Sequence, residues 1–124
     1  MLKSINAFVL GLIKIVANLR YIYDEHIEDY DELLPHVFFG DLTRYVVELY
    51  KSILKDTSDK GKWDELEKIL TYLENGMSGK DEKVQELIAV SFLENLDLTD
   101  SSLRTFEEKF GPHLKKELKL VRDA

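Results

Sequence analysis

The sequence predicts an all-α fold, a single-domain antiparallel bundle of five or six helices. Good helix formers (Leu, Lys and Glu) dominate the 124 residues, and only two prolines and six glycines interrupt regular structure. Apolar side chains recur at helical spacing between short polar loops, as they do in helical bundles. With 44% hydrophobic residues, residues 1–124 are expected to form one core and therefore one domain.

The first apolar stripe occupies the N-terminal quarter of the chain. It predicts one long helix or two nearly collinear helices before Pro35, because a proline disfavours helical geometry in the residue before it. About 20 apolar residues are needed to span a membrane, and Lys14, Asn18 and Arg20 interrupt the stripe. We therefore expect a core helix and no membrane segment. The stripe comprises Ile5, Phe8, Val9, Leu12, Ile15, Val16, Leu19, Ile22 and Tyr23, followed by Ile27, Tyr30 and Leu34.

Residues 35–40 are predicted to be a short connection tucked into the core. Pro35 ends the preceding helix, and Gly40-Asp41 supplies a second break with Asp41 as the N-cap of the next helix. Val37, Phe38 and Phe39 are too apolar for a solvated loop. A helix should then run from Asp41 to about Lys55, and residues 56–61 form the clearest loop in the chain.

The second half of the chain predicts further helices with recognisable ends. One helix ends at Asn75-Gly76, and Ser78-Gly79-Lys80-Asp81 resembles a capping box that starts the next one, which continues to Leu96. Thr99 or Asp100 caps a short helix that Gly111-Pro112 closes. The predicted buried side chains of these segments are Trp63, Leu66, Ile69, Leu70, Leu73, Val84, Leu87, Ile88, Phe92, Leu93, Leu96, Leu103, Phe106, Phe110, Leu114, Leu118 and Val121.

The negative charge of the protein is concentrated in residues 24–32, which hold six carboxylates and no base. Residues 1–23 carry +3, residues 24–32 carry −6, and the remaining 92 residues carry −4, which gives the net charge of −7. At helical spacing, most of these acids share one surface next to an aromatic ring. Such a surface can bind a basic partner, although a solvated face explains the same pattern. The predicted partner-binding residues are Tyr21, Glu25, Glu28, Asp29, Asp31 and Glu32.

Several functional classes are disfavoured by what the sequence lacks. The chain has no cysteine, which excludes thiolate nucleophiles and Cys-rich zinc sites and is compatible with a reducing compartment. Its 17 Lys and Arg residues are scattered, whereas nucleic-acid binding requires clustered positive charge. Serine-nucleophile motifs and Gly-rich phosphate loops are absent. We therefore expect no catalytic residue, no cofactor, no bound metal and no nucleic-acid partner.

Two histidines carry weaker chemical hypotheses. His26 and Asp29 have the spacing of two metal ligands on one helix face, with Glu25 nearby, but the paired Glu-x-x-His motifs of helical di-metal proteins are missing. His36 and Asp41 could form an acid/base pair, although a histidine in an apolar turn is more often a packing residue. A metal-dependent helical hydrolase is therefore the weakest alternative.

Three sequence phrases carry a resemblance to known proteins: LLPHVFFGDLTR at residues 33–44, SFLENL at residues 91–96 and FGPHL at residues 110–114. From about residue 24 onward, the chain resembles a bacterial family of small helical proteins that is similar to the immunity proteins of polymorphic-toxin and contact-dependent growth inhibition systems. The resemblance implies a cytoplasmic, non-catalytic protein that binds and blocks a cognate toxin domain, often a nuclease with a basic cleft. A scaffold or regulatory adaptor is the alternative, and self-association is left open.

Overall fold

The computed structural model describes residues 2–97 and 99–123, and these residues confirm the all-α class, with no strand among them. The described part contains one π-helical segment, Ala89–Leu93, and 3-10 turns at Ala17–Leu19, Ser101–Leu103 and Phe106–Lys109. Buried apolar side chains from the helices other than α2 (Arg20–Tyr30) join in one core cluster, and α2 packs against it through the partly buried Ile22 and Tyr23. The α-helices are α1 (Leu2–Ile15), α2 (Arg20–Tyr30), α3 (Pro35–Lys55), α4 (Lys60–Ser78), α5 (Glu82–Ile88) and α6 (Pro112–Asp123).

The N-terminal stripe is folded back on itself, so the prediction of one helix or two collinear helices is wrong. The helical segments on either side of Val16 are bent by 119°, and Val16 itself is extended, with φ −117° and ψ 92°. Val16 and Leu19 stay buried across the bend, whereas Ile15 turns outward. Among the described residues, no single helix is long and apolar enough to cross a membrane, although the bent pair together has the length and composition.

Residues 35–40 form the first turns of α3, so the predicted connection does not exist. Leu34 is extended as expected before a proline, but Pro35 occupies the first helical turn, where its missing N–H costs nothing. Phe38 and Phe39 are fully buried as predicted, whereas Val37 is exposed. Gly40 inside a helix costs about 1 kcal/mol, which the buried face of the 21-residue helix outweighs.

Two predicted helix ends are also displaced, and close packing explains the first. Helix α4 continues through Gly76 to Ser78 because Gly76 is a site of close approach: a Cβ there would lie 2.7 Å from Phe8 Cζ and 2.9 Å from Ile88 Cδ1. The N-cap of α5 is Asp81 and not Ser78, since the Asp81 carboxylate accepts hydrogen bonds from the N–H groups of Lys83 and Val84.

The helix predicted to reach Leu96 changes character at Ala89. Residues 89–93 adopt π-helical geometry against α3, where the Thr43 hydroxyl lies 3.3 Å from Ser91 O and 3.2 Å from Phe92 O. Asn95 Nδ2 donates a second hydrogen bond to Ser91 O, at 2.8 Å. These polar side chains satisfy carbonyl groups at the helix irregularity.

The short helix predicted after Asp100 consists of two 3-10 turns, and its predicted core residues are buried. Asp100 caps the first turn by accepting a hydrogen bond from the Ser102 N–H at 3.0 Å. Leu103, Phe106 and Phe110 all pack in the core as predicted. Pro112 then starts α6, whose Leu114 and Leu118 complete the core.

Candidate functional site

An open acidic groove with a volume of about 440 Å³ lies between α2 and α3. Its charged side chains are four carboxylates and one guanidinium, which give a formal charge of −3. They come from both helices: Glu25 and Asp29 from α2, and Asp41, Arg44 and Glu48 from α3. We refer to this surface as the acidic groove. The groove also has three tyrosines in its lining, Tyr21, Tyr30 and Tyr45.

Only half of the predicted partner-binding residues line the acidic groove. Tyr21, Glu25 and Asp29 do so, whereas Glu28, Asp31 and Glu32 are exposed elsewhere. The helical spacing fails at Asp31, because α2 ends there: Asp31 is in the left-handed region with φ 61°, and its N–H donates to Ile27 O. Glu32 therefore lies beyond the helix, so the helical spacing assumed for it does not apply, and the binding role of these residues stays a prediction.

The contribution of α3 to the groove escaped the sequence analysis. Asp41, Arg44, Tyr45 and Glu48 follow one another at helical spacing, but nothing in the sequence indicated that this face of α3 lies beside α2. Asp41 had been interpreted as an N-cap. In the structure it lies inside the helix and pairs with the Arg44 guanidinium, whose side chain is 72% exposed.

His26 is the buried polar residue of the groove. Its side chain is enclosed, with the imidazole packed against the Tyr30 ring at 4.9 Å and edge-on to Phe38. Nε2 accepts a hydrogen bond from the Leu34 N–H at 2.9 Å, so the neutral ring carries its hydrogen on Nδ1. Nδ1 is buried and has no hydrogen-bond partner within the described residues.

The two weaker histidine hypotheses find no matching geometry. Within residues 2–97 and 99–123, no group of three metal-ligating side chains is close enough to hold an ion, and His26 Nε2 is already occupied by Leu34. His36 does not pair with Asp41, which is engaged by Arg44. Its Nδ1 instead lies 2.5 Å from the hydroxyl of Ser91, a buried residue of the π-helical segment.

Tyr45 connects the acidic groove to the rest of the fold. Its hydroxyl donates a hydrogen bond to Glu65 of α4, and the other carboxylate oxygen of Glu65 accepts from Asn18 at 2.5 Å. Partial burial, together with the neighbouring Glu65 carboxylate, strongly raises the pKa of the Tyr45 phenol. The phenol therefore stays protonated and continues to donate its hydrogen bond to Glu65. This bond connects α3 to α4.

A second groove, also of about 440 Å³, lies between α4 and residues 109–111 and is largely apolar, with Trp63 and Phe110 in its lining. Glu74 is also part of this lining. The Glu74 carboxylate accepts hydrogen bonds from the N–H groups of His113 and Leu114, both at 2.9 Å, and lies 2.6 Å from His113 Nδ1. This carboxylate therefore occupies the N-terminus of α6.

Comparison with known proteins gives a family without an assigned activity. Neither the curated proteins nor the solved structures contain a match. A family model described as a domain of unknown function, DUF7674, matches residues 11–123. The matched range includes every residue of the acidic groove and all three sequence phrases. The chain therefore belongs to the DUF7674 family.

Proposed function

We propose that this protein is a non-catalytic immunity protein that neutralises a cognate bacterial toxin domain by binding it through the acidic groove. The observation that carries the proposal is that, among the described residues, four carboxylates from two helices and a single cation line one open groove. The resemblance to immunity proteins supplies the class of partner, a toxin domain with a basic cleft. The antiparallel-bundle arrangement and the cytoplasmic location predicted from the sequence belong to the same proposal.

The groove has the physical properties of a recognition surface for a basic protein. Uncompensated carboxylates in one concavity attract a positively charged partner over long range and raise the rate of association. Tyr21 and Tyr30 are 61% and 46% exposed at the same place, and they offer large apolar area that a partner can cover. The groove thus combines carboxylates that attract a basic partner with exposed tyrosines that the partner can cover.

Affinity capture identifies the partner directly. The tagged protein is recovered from its native host, and bound proteins are identified by mass spectrometry. A basic toxin domain in stoichiometric amount is the expected result, together with a reduction of its toxicity when both proteins are present. Recovery of the chain alone, or of partners that are not toxins, would replace the immunity function by self-association or by a regulatory adaptor.

A matched pair of charge reversals on α2 tests the surface. We expect Glu25→Lys with Asp29→Lys to weaken binding of the captured partner by several kcal/mol, as close interfacial charge pairs do. Glu28→Lys on the same helix lies outside the groove and should change binding little. Isothermal titration calorimetry measures both, with circular dichroism as the check on folding. An equal effect of Glu28→Lys would place the interface on another surface.

A further inference from the structure

We infer that the acidic groove receives an arginine side chain of the partner, and that its guanidinium pairs with the groove carboxylates in competition with Arg44. This inference rests on the proposed function, because it names the partner group that the same groove binds. Arg44 is then an internal competitor, whose guanidinium leaves the groove carboxylates when the partner's arginine binds.

The groove can accept a further cation, because its formal charge is −3 even with Arg44 included. Arg44 is paired with Asp41, whereas Glu25, Asp29 and Glu48 make no ion pair or hydrogen bond within the described part of the chain. A metal ion does not fit, since no three metal-ligating side chains converge among these residues. The unpaired carboxylates therefore favour an organic cation as the ligand.

Arg44 shows which organic cation the groove accommodates. Arg44 already lines the groove, but its pair with Asp41 is a surface contact across three residues of one helix, and such pairs contribute little to stability. An incoming guanidinium can therefore displace it at small cost. The exposed rings of Tyr21 and Tyr30 favour a planar guanidinium over an ammonium group, because arginine stacks on aromatic faces.

His26 points independently to a ligand that also carries a hydrogen-bond acceptor. Among the described residues, the Nδ1–H has no acceptor, and His26 is 2% exposed and belongs to the groove lining. Leaving a buried donor unpaired is unfavourable, so an acceptor supplied by a ligand would be favoured here. An arginine residue brings a backbone carbonyl as well as a guanidinium, whereas a polyamine brings only cations. Tyr30, whose ring packs on the imidazole, turns outward to admit the carbonyl.

A titration with capped tripeptides tests the inference without the partner. The probes are acetyl-Gly-Arg-Gly-amide, its citrulline analogue, which has the same shape without the charge, its lysine analogue, and spermine. Two-dimensional NMR of the ¹⁵N-labelled full chain follows the backbone amides of the groove and the His26 Nδ1–H. We expect the arginine peptide to shift both sets of signals, the citrulline peptide to shift neither, and the lysine peptide to bind about threefold more weakly.

The variants should change the affinity in opposite directions, and a gain with Arg44→Gln that spermine shares would indicate a general charge effect in place of an arginine anchor. Arg44→Gln removes the internal competitor and should raise the affinity for the arginine peptide by about threefold. The double variant Glu25→Gln, Asp29→Asn should lower it by about the same factor or more, whereas Glu28→Gln serves as the unaffected control. Amide spectra of the free variants verify that each is folded.

The outcomes separate this inference from the proposed function. Equal shifts with spermine and lysine, an unmoved His26 signal, or no gain with Arg44→Gln would overturn the arginine anchor. If the arginine peptide fails while Glu25→Lys with Asp29→Lys still abolishes binding of the captured partner, the groove remains the interface and only the anchor is wrong. If both fail, the proposed interface is wrong as well.

Discussion

At the scale of single residues, Glu74 joins two distant parts of the chain through one carboxylate. Burial alone would raise the pKa of Glu74, but the hydrogen bonds from the Leu114 and His113 N–H groups outweigh it and hold the pKa below its usual range. A group with a lowered folded-state pKa stabilises the fold above its unfolded-state pKa. That contribution is lost as the pH falls through the lowered value.

We predict that Glu74→Ala lowers the free energy of unfolding by about 1–2 kcal/mol at neutral pH, with Glu74→Gln intermediate because the amide keeps one acceptor oxygen. The difference from the natural protein should shrink in acid, where Glu74 is protonated. Urea denaturation at neutral pH and below the usual glutamate range measures both effects. Glu67→Gln, an exposed position on the same helix, is the control. A difference that is constant with pH would contradict the capping role of the charge.

Residue-level spacing placed His26 among carboxylates but could not show what its ring contacts. The hydrogen-bond partner, the Leu34 N–H, lies eight residues away across a turn. That contact depends on where α2 ends, and the end is set by the left-handed conformation of Asp31. Nothing local distinguishes Asp31 from its acidic neighbours, so the burial of His26 could not be predicted.

At the scale of helices, the two glycines of α4 predict opposite effects of the same substitution. Gly76→Ala should destabilise by about 1–2 kcal/mol, because overpacking against Phe8 and Ile88 exceeds the gain in helix propensity. Gly61→Ala meets only Asp59 Oδ1, at 3.4 Å, and should stabilise by about 0.5 kcal/mol. Thermal unfolding followed by circular dichroism measures both. A stabilised Gly76→Ala would show that α1 and α5 do not approach α4 as closely as described.

Helix positions were predicted better than helix ends, for a physical reason visible at Pro35 and Gly40. Hydrophobic periodicity reports burial directly, and Leu103, Phe106 and Phe110 are buried as predicted. A glycine or a proline limits which backbone conformations are possible, but it does not determine whether a helix ends there. Pro35 permits a helix start as well as a stop, and no glycine or proline marks the bend at Val16 in the sequence.

At the scale of the whole molecule, the single core cluster predicts one cooperative unfolding transition. Trp63 is the only tryptophan and packs at the edge of this cluster, whereas circular dichroism reports all helices together. We expect the fluorescence and circular dichroism curves in urea to coincide, as two-state unfolding of a small domain requires. Separated midpoints would show that the N-terminal helices unfold apart from α4.

The acidic groove could be predicted only in part, because it is assembled from two segments. The run at residues 24–32 identified the α2 contribution, Glu25, Asp29 and Tyr21. Asp41 and Glu48 are ordinary acids in the sequence, and they become part of the site only because α3 packs beside α2. Local spacing contains no information about that packing, so a one-helix surface was predicted where the structure has a groove.

Helix α2 has a consequence for the evolution of this protein. It is only 11 residues long, and His26 is its one fully buried side chain. Most of its positions can therefore change without disturbing the core. Because those positions include Glu25 and Asp29 on one wall of the groove, substitutions can change the charge of that wall while the core stays the same. Under the proposed function, the residues that contact the partner and the residues that form the core are then largely separate.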